Sequence, residues 1–220
     1  MCFSPTISYA AGGLLIASGG WSFGRAAETR LYRLYPLALV PVGFGLQQVF
    51  EGAVWTRLLE SHSAKAMSLG FLLFSHFLWP VWVPFALAVL EPPGRRKRLL
   101  GGLTVFGLLL GAAMYLPIAW NGGAEVSIVG SSLVYHTERI DPQSVPHNFL
   151  QGLYALTVII APLLASDDKV KWLGILLGAS LLLAQLIFAW AVISVWCFFA
   201  AILSGYICYL VECYRRDAPL

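Results

Sequence analysis

Two ionisable residues within apolar stretches of the sequence, Glu51 and His76, are the first candidates for chemistry. Glu51 is the only acidic residue well inside a stretch long enough to span a membrane, and His76 is the only histidine in one. Ionisable side chains at membrane depth are energetically costly and usually face a bundle interior or a wet cavity. Since a carboxylate and an imidazole can exchange a proton, the two residues predict an acid–base centre or a titratable binding site.

Further polar side chains fall at a similar depth in the predicted helices. Gln47 precedes Glu51 by one helical turn and shares its face. The sequence therefore predicts a ligand pocket lined by Gln47, Gln48, Glu51, His76, Gln185, Ser194 and Cys197. The alternative is that these side chains only join helix to helix, as buried amides do in many membrane bundles.

Histidine, carboxylate and thiolate are also ligands for zinc or copper. A metal set would combine Glu51, His76 and Cys2, which follows the first methionine. His136 and His147, in a polar segment, are further candidates for ligands or for a proton path. Because no two of these residues have a ligand-type spacing such as His-x-x-x-His, the sequence does not choose between zinc, copper, haem and no cofactor.

The composition requires that these residues sit in a membrane protein. Apolar residues make up 59% of the 220 residues and charged residues only 11%, whereas a soluble domain has roughly a quarter charged residues. The chain divides into stretches of about 20 residues, the length that crosses a bilayer. We therefore predict one all-α transmembrane domain, residues 1–220, a bundle of seven helices with spans 7–23, 35–55, 67–90, 99–120, 149–165, 172–188 and 190–211.

The last two spans come from one uncharged run, 172–211. As a single helix it would be about twice as long as the bilayer core is thick, so it must reverse direction. The turn is predicted near residues 188–191.

The basic residues predict the orientation of the bundle. With the N-terminus outside and the C-terminus in the cytoplasm, all of the 14 lysines and arginines except Arg57, Lys65 and Arg139 fall in cytoplasmic segments. This distribution obeys the positive-inside rule and places the basic loop 91–98 in the cytoplasm. We expect a multi-pass protein of the inner (plasma) membrane, in which lipid headgroups account for the positive charge and nucleic acid is not a partner.

The long outer loop, residues 121–148, alternates apolar and polar residues on both sides of Gly130. This alternation predicts a β-hairpin. A hairpin at the mouth of the bundle would act as a lid over the pocket, and the alternative is a plain surface loop.

Several segments carry a family resemblance. The chain begins Met-Cys-Phe-Ser, and it contains QQVFEGAVW at 47–55, WPVWVP at 79–84 and SVWCFFAA at 194–201. Together these segments resemble an uncharacterised family of bacterial integral membrane proteins that begin with MCFS. The resemblance implies a bacterial membrane protein and no particular substrate.

Three functions remain open at this point. The first is a binding or transport protein whose outward pocket takes a small solute or cation, with Glu51 as countercharge and His76 as a titratable gate. The second is a membrane-embedded enzyme that uses Glu51 and His76 as acid–base groups, with Cys197 or Cys2 as nucleophile or ligand. The third is a structural or sensory subunit without a small-molecule site. Polar residues concentrate in the predicted outer half, which favours an outward pocket over a continuous conduit.

Overall fold

The computed structural model describes residues 4–137, 147–187 and 189–217. Within these residues the chain forms seven long helical rods and one two-stranded hairpin. In chain order the elements are α1 (Pro5–Glu28), a 3-10 turn (Tyr32–Leu34), α2 (Tyr35–Ala38), α3 (Val40–Leu59), α4 (Lys65–Leu72), a π-helical segment (Leu73–Leu78), α5 (Trp79–Leu90), α6 (Arg95–Trp120), β1 (Glu125–Val129), β2 (Ser132–His136), α7 (His147–Leu163), α8 (Asp168–Ile187), a 3-10 turn (Ala189–Ala191) and α9 (Val192–Arg216).

Each of the seven predicted spans overlaps one helical rod, and a 3-10 turn, Ala189–Ala191, lies between α8 and α9. Most rods extend a few residues beyond the predicted spans because their charged ends also support helix. At the end of α9, for example, Glu212 accepts hydrogen bonds from Arg215 and Arg216, one turn later on the same face. Such pairs three and four residues apart stabilise a helix end beyond its apolar core.

Five rods are long and apolar enough to cross a membrane, which indicates a membrane protein. They are Tyr32–Leu59, Lys65–Leu90, Arg95–Trp120, Asp168–Ile187 and Val192–Arg216. The other two are α1, which is rich in glycine and serine, and α7, which has 17 residues.

Small residues let α1 approach α3 closely. A β-carbon added at Gly45 would lie 2.8 Å from the carbonyl oxygen of Gly12, and one added at Gly19 would lie 2.8 Å from the backbone nitrogen of Val42. Glycine at these positions removes the side chain that would hold the two backbones apart. This contact fixes the position of α3, the helix that carries Glu51.

The predicted hairpin is present in the structure. Strands β1 and β2 pair antiparallel, and Gly130 makes the turn with a φ of +60° that favours glycine. The ring of Tyr135 stacks on Phe71 of α4 with centroids 4.7 Å apart. Ser68, also on α4, accepts from the backbone N–H of Ala124 at 3.0 Å. The hairpin is therefore fastened to one end of the bundle, which we call the hairpin end; the opposite end, with the 95–98 cluster, is the basic end.

Candidate functional site

Glu51 is completely buried on α3, at 0% exposure. Ser194 on α9 donates a hydrogen bond of 2.5 Å to Oε1 of Glu51, and Gln48 donates one of 3.0 Å to Oε2. Both donors are also completely buried. Since each carboxylate oxygen has a donor, part of the cost of removing this group from water is compensated.

Gln47 joins α3 to α5. Its Oε1 accepts a hydrogen bond of 2.7 Å from the indole N–H of Trp79, and both side chains are buried. The indole also stacks on Phe44, one turn before Gln47, with centroids 3.9 Å apart. A β-carbon at Gly43 would lie 2.8 Å from the same indole, so glycine there makes room for the ring. Trp79 was not among the predicted site residues, although it lies in the WPVWVP segment next to Pro80.

Cys197 is a buried free thiol one turn after Ser194 on α9. The thiol lies beside the side-chain amide of Gln47 and within electrostatic reach of Glu51. The structure therefore brings together five of the predicted residues in one buried cluster between α3 and α9. We call it the Glu51 cluster: Gln47, Gln48, Glu51, Ser194 and Cys197.

His76 lies in the π-helical segment between α4 and α5 and is 2% exposed. Its Nδ1 is 3.0 Å from the hydroxyl of Ser75. The backbone N–H of Trp79 bonds to the carbonyl of Phe74, five residues earlier, as a π turn requires. Single π turns within α-helices occur frequently at functional sites because they turn side chains away from the regular helical face.

Pro80 gives a local reason for the π turn. Proline has no N–H for the carbonyl four residues earlier, here that of His76, and its ring crowds that carbonyl. On the opposite side, α6 passes so close that any β-carbon at Gly107 would clash with the carbonyl of Pro80. The wide turn therefore lies where the sequence weakens the regular hydrogen bonding, and it carries His76.

A cavity of about 570 Å³ lies between the π-helical segment and helices α6 to α9. The wall carries the polar side chains of Ser75, His76, Gln151 and Gln185 and the amphipathic rings of Tyr154 and Trp196. Most of the remaining wall is apolar, including Met114 of α6. None of the described lining residues carries a carboxylate, a guanidinium or an amine.

The cavity and the Glu51 cluster are neighbours that share one residue. Cys197 belongs to the cluster and lines the cavity, whereas Glu51 does not line it. The predicted pocket residues thus fall into two groups, with His76 and Gln185 on the cavity wall and the carboxylate behind it. Gln151 and Tyr154, which sequence reasoning missed, also line the cavity.

The two loop histidines and Cys2 have different outcomes. His136 is exposed in β2, where its Nε2 is 2.8 Å from the hydroxyl of Ser127 in β1. Cys2 and the side chain of His147 lie outside the described residues. Among residues 4–137, 147–187 and 189–217, no group of three histidine, cysteine, aspartate or glutamate side chains is close enough to hold a metal ion.

A second polar group, outside the predicted pocket, lies at the basic end. Glu91 is 7% exposed and accepts hydrogen bonds from the backbone N–H and the hydroxyl of Ser166. Next to it, Tyr214 donates a bond of 2.6 Å to Asp167. These contacts tie the ends of α5, α7 and α9 together. Glu91 directly follows α5, and the sequence placed it only at the start of the basic loop 91–98.

Comparison with protein families gives a match. A family model described as "Family of unknown function (DUF6629)" matches residues 1–219. No curated protein matches the chain, and no solved structure does. Because the model covers nearly the whole length, the chain, a mostly helical membrane protein, belongs to this family of unknown function.

Proposed function

We propose that the protein binds a small, largely apolar solute in the cavity between the π-helical segment and α6 to α9. The observation that carries this proposal is the cavity itself, about 570 Å³ in volume, with the hydrogen-bonding groups of His76, Gln151 and Gln185 on an otherwise mainly apolar wall. Ligand sites in proteins are typically mostly apolar concavities of ~300–1,000 Å³ with a few placed polar groups.

The lining favours a solute over a cation. Glu51, which the sequence suggested as a countercharge, is held by Ser194 and Gln48 and does not line the cavity. No carboxylate occurs among the described lining residues, so a cation would enter without a balancing charge. A neutral solute with hydrogen-bonding groups matches the amides and the imidazole instead.

The proposal includes the orientation that the basic residues predict. With seven spans and the N-terminus outside, the hairpin end faces the exterior of a bacterial inner membrane. Gln185 lies near the hairpin end of α8, and Val192 and Ile193 begin α9 there, so the cavity would lie in the outer half of the membrane. The described residues that line this cavity stop short of the basic end, which supports binding over conduction.

Filling the cavity tests the proposal. Gly152 lines the cavity, and a β-carbon added there has no neighbour within 4 Å, so Gly152→Leu places a side chain in open space. The matched control is Gly20→Leu on α1, where a β-carbon likewise has no neighbour within 4 Å and which does not line the cavity. Native mass spectrometry of the purified proteins measures the ligand retained.

We expect the wild type and Gly20→Leu to retain the same small molecule and Gly152→Leu to lose it. If the wild type retains none, or if Gly152→Leu retains as much as the wild type, the proposal is wrong. The enzymatic alternative requires in addition that the retained molecule be converted when Glu51 and His76 are intact, and it loses its basis if Glu51→Gln converts the molecule at the wild-type rate.

A further inference from the structure

A second, almost entirely apolar cavity of about 50 Å³ adjoins the first one on the side of the basic end. Tyr154, Trp196 and Cys197 line both cavities. The rings of Tyr154 and Trp196 meet edge to face with centroids 5.7 Å apart. The two cavities therefore share a wall made of side chains, and a change of rotamer at Tyr154 or Trp196 would connect them.

One face of α9 lines this interior from end to end. Val192 begins it at the hairpin end, and Ala200, Leu203 and Ile207 continue it into the apolar cavity. From Val192 to Ile207 the helix rises about 22 Å at 1.5 Å per residue. A compact solute occupies only the first cavity, whereas a linear chain can follow the whole face.

The polarity of the wall changes along this face. Near the hairpin end, Gln151, Gln185 and His76 offer hydrogen-bond donors and acceptors, and beyond Trp196 the wall is apolar. A molecule with a polar head near the hairpin end and an apolar tail toward the middle of the bundle would match this gradient. Lipids of one leaflet have the same arrangement relative to the bilayer.

The wall of the first cavity also reaches the outer surface of the bundle. Gln185 is exposed, and Leu182, one turn before it, is 61% exposed. The same flank of α8 presents Leu186, which is 75% exposed, as an apolar surface suited to lipid. An amide at the edge of a lipid-facing surface, next to a cavity, is suited to a ligand that enters from the bilayer.

We infer that the two cavities together hold a single-chain amphipath with an uncharged, hydrogen-bonding head group, taken from the surrounding bilayer. The inference rests on the proposed function and narrows its ligand class. The head binds at His76, Gln151 and Gln185, which supply hydrogen-bonding groups. It is uncharged because no described lining residue supplies a carboxylate, guanidinium or amine to pair with a charge. The tail passes Tyr154 and Trp196 into the apolar cavity.

Photo-cross-linking in lipid nanodiscs tests this inference. The first probe is a long-chain primary alcohol with a diazirine at the end of the chain away from the hydroxyl. The second is a short-chain primary alcohol with a diazirine in the same position. We expect the long probe to label α9 between residues 200 and 207, in competition with unlabelled long-chain alcohol. Labelling confined to the outer surface, for example around Leu109, which is 67% exposed, or labelling without competition would overturn the inference.

Ala200→Phe blocks the apolar cavity, and Ile202→Phe is its control on the same helix, because Ile202 is 59% exposed and does not line the cavity. We expect Ala200→Phe to weaken competition by the long-chain alcohol at least about tenfold, because several methylene groups lose their burial. The dependence of wild-type competition on the chain length of the alcohol gives a second measurement that needs no variant: affinity rises with length until the interior is filled. An affinity independent of chain length contradicts the inference.

The two proposals fail in different ways. If Gly152→Leu abolishes retention of a short solute while Ala200→Phe has no effect on the retained molecule, the proposed function stands and the amphipathic ligand is wrong. If the wild type retains no molecule and neither probe shows competition, both are wrong.

Discussion

Ser194 donates a 2.5 Å hydrogen bond to Glu51 and so joins the beginning of α9 to α3 across 143 residues of sequence. Both residues are completely buried, and Gln48 occupies the other carboxylate oxygen. The bond has two consequences. It holds α9, which lines both cavities, against α3. It also uses the carboxylate of Glu51 for a contact between helices, so that this group does not face a ligand.

Ser194→Ala removes one donor from the buried carboxyl of Glu51. We expect a loss of about 1–3 kcal/mol in the free energy of unfolding, because the buried acceptor then lacks this partner. Ser180→Ala is the control, since Ser180 donates to the carbonyl of Leu177 within its own helix. Thermal unfolding of the detergent-solubilised proteins measures both. Equal melting temperatures for the two variants would show that the Ser194 bond does not stabilise the bundle.

Glu51→Gln separates hydrogen bonding from charge. The amide oxygen can still accept from Ser194, whereas the new NH2 group replaces the oxygen that accepts from Gln48. We therefore expect the variant to fold with a modest loss of stability and to retain the wild-type ligand. Glu51→Leu removes the acceptor, leaves the buried Ser194 hydroxyl without it, and should cost about 1–3 kcal/mol of stability. Retention is measured by native mass spectrometry. If a folded Glu51→Gln protein loses the ligand, Glu51 does act as a countercharge and this prediction is wrong.

Trp79→Phe removes the indole donor to Gln47 while keeping an aromatic ring against Phe44. The buried oxygen of Gln47 then loses this donor, and we expect destabilisation of about 1–3 kcal/mol. In a protein that already carries Gln47→Leu, Trp79→Phe should lower the free energy of unfolding much less, because the Gln47 oxygen that accepts from the indole is already absent. A double-mutant cycle measured by unfolding gives the coupling. Additive effects of the two substitutions would contradict a direct interaction.

Both an aromatic contact and a surface ion pair join the hairpin to α4. Tyr135→Ala removes the stacked contact with Phe71 and should raise hydrogen exchange across β1 and β2. Lys65→Ala removes a surface ion pair of 2.8 Å to Glu125, whose two side chains are 44% and 70% exposed, and should change stability by less than about 1 kcal/mol. If hydrogen exchange across β1 and β2 is faster in Lys65→Ala than in Tyr135→Ala, the ion pair contributes more than the aromatic contact and this prediction is wrong.

The helices were predictable from the chain alone, and the site only in part. Long apolar stretches between charged segments predict helices because backbone polar groups in lipid must bond within their own segment. The depth of Glu51 and Ser194 along their helices also follows from counting residues at 1.5 Å each. The face toward which each side chain points does not follow, because the π turn at His76 changes the angular position of every later residue in that rod.

Amino-acid sequence by itself therefore determined that this protein is a helical membrane protein, with its polar residues grouped by depth and a hairpin in the long loop. Only the tertiary structure decided that Glu51 bonds to Ser194 while His76 faces a cavity with Gln185. Depth along a helix is a local property that the chain contains as a count of residues. Which side chains meet between helices depends on packing. The glycines that let α1 approach α3, and Pro80, which weakens the regular hydrogen bonding of the third rod, both affect it. The resulting contacts form only when the whole bundle assembles.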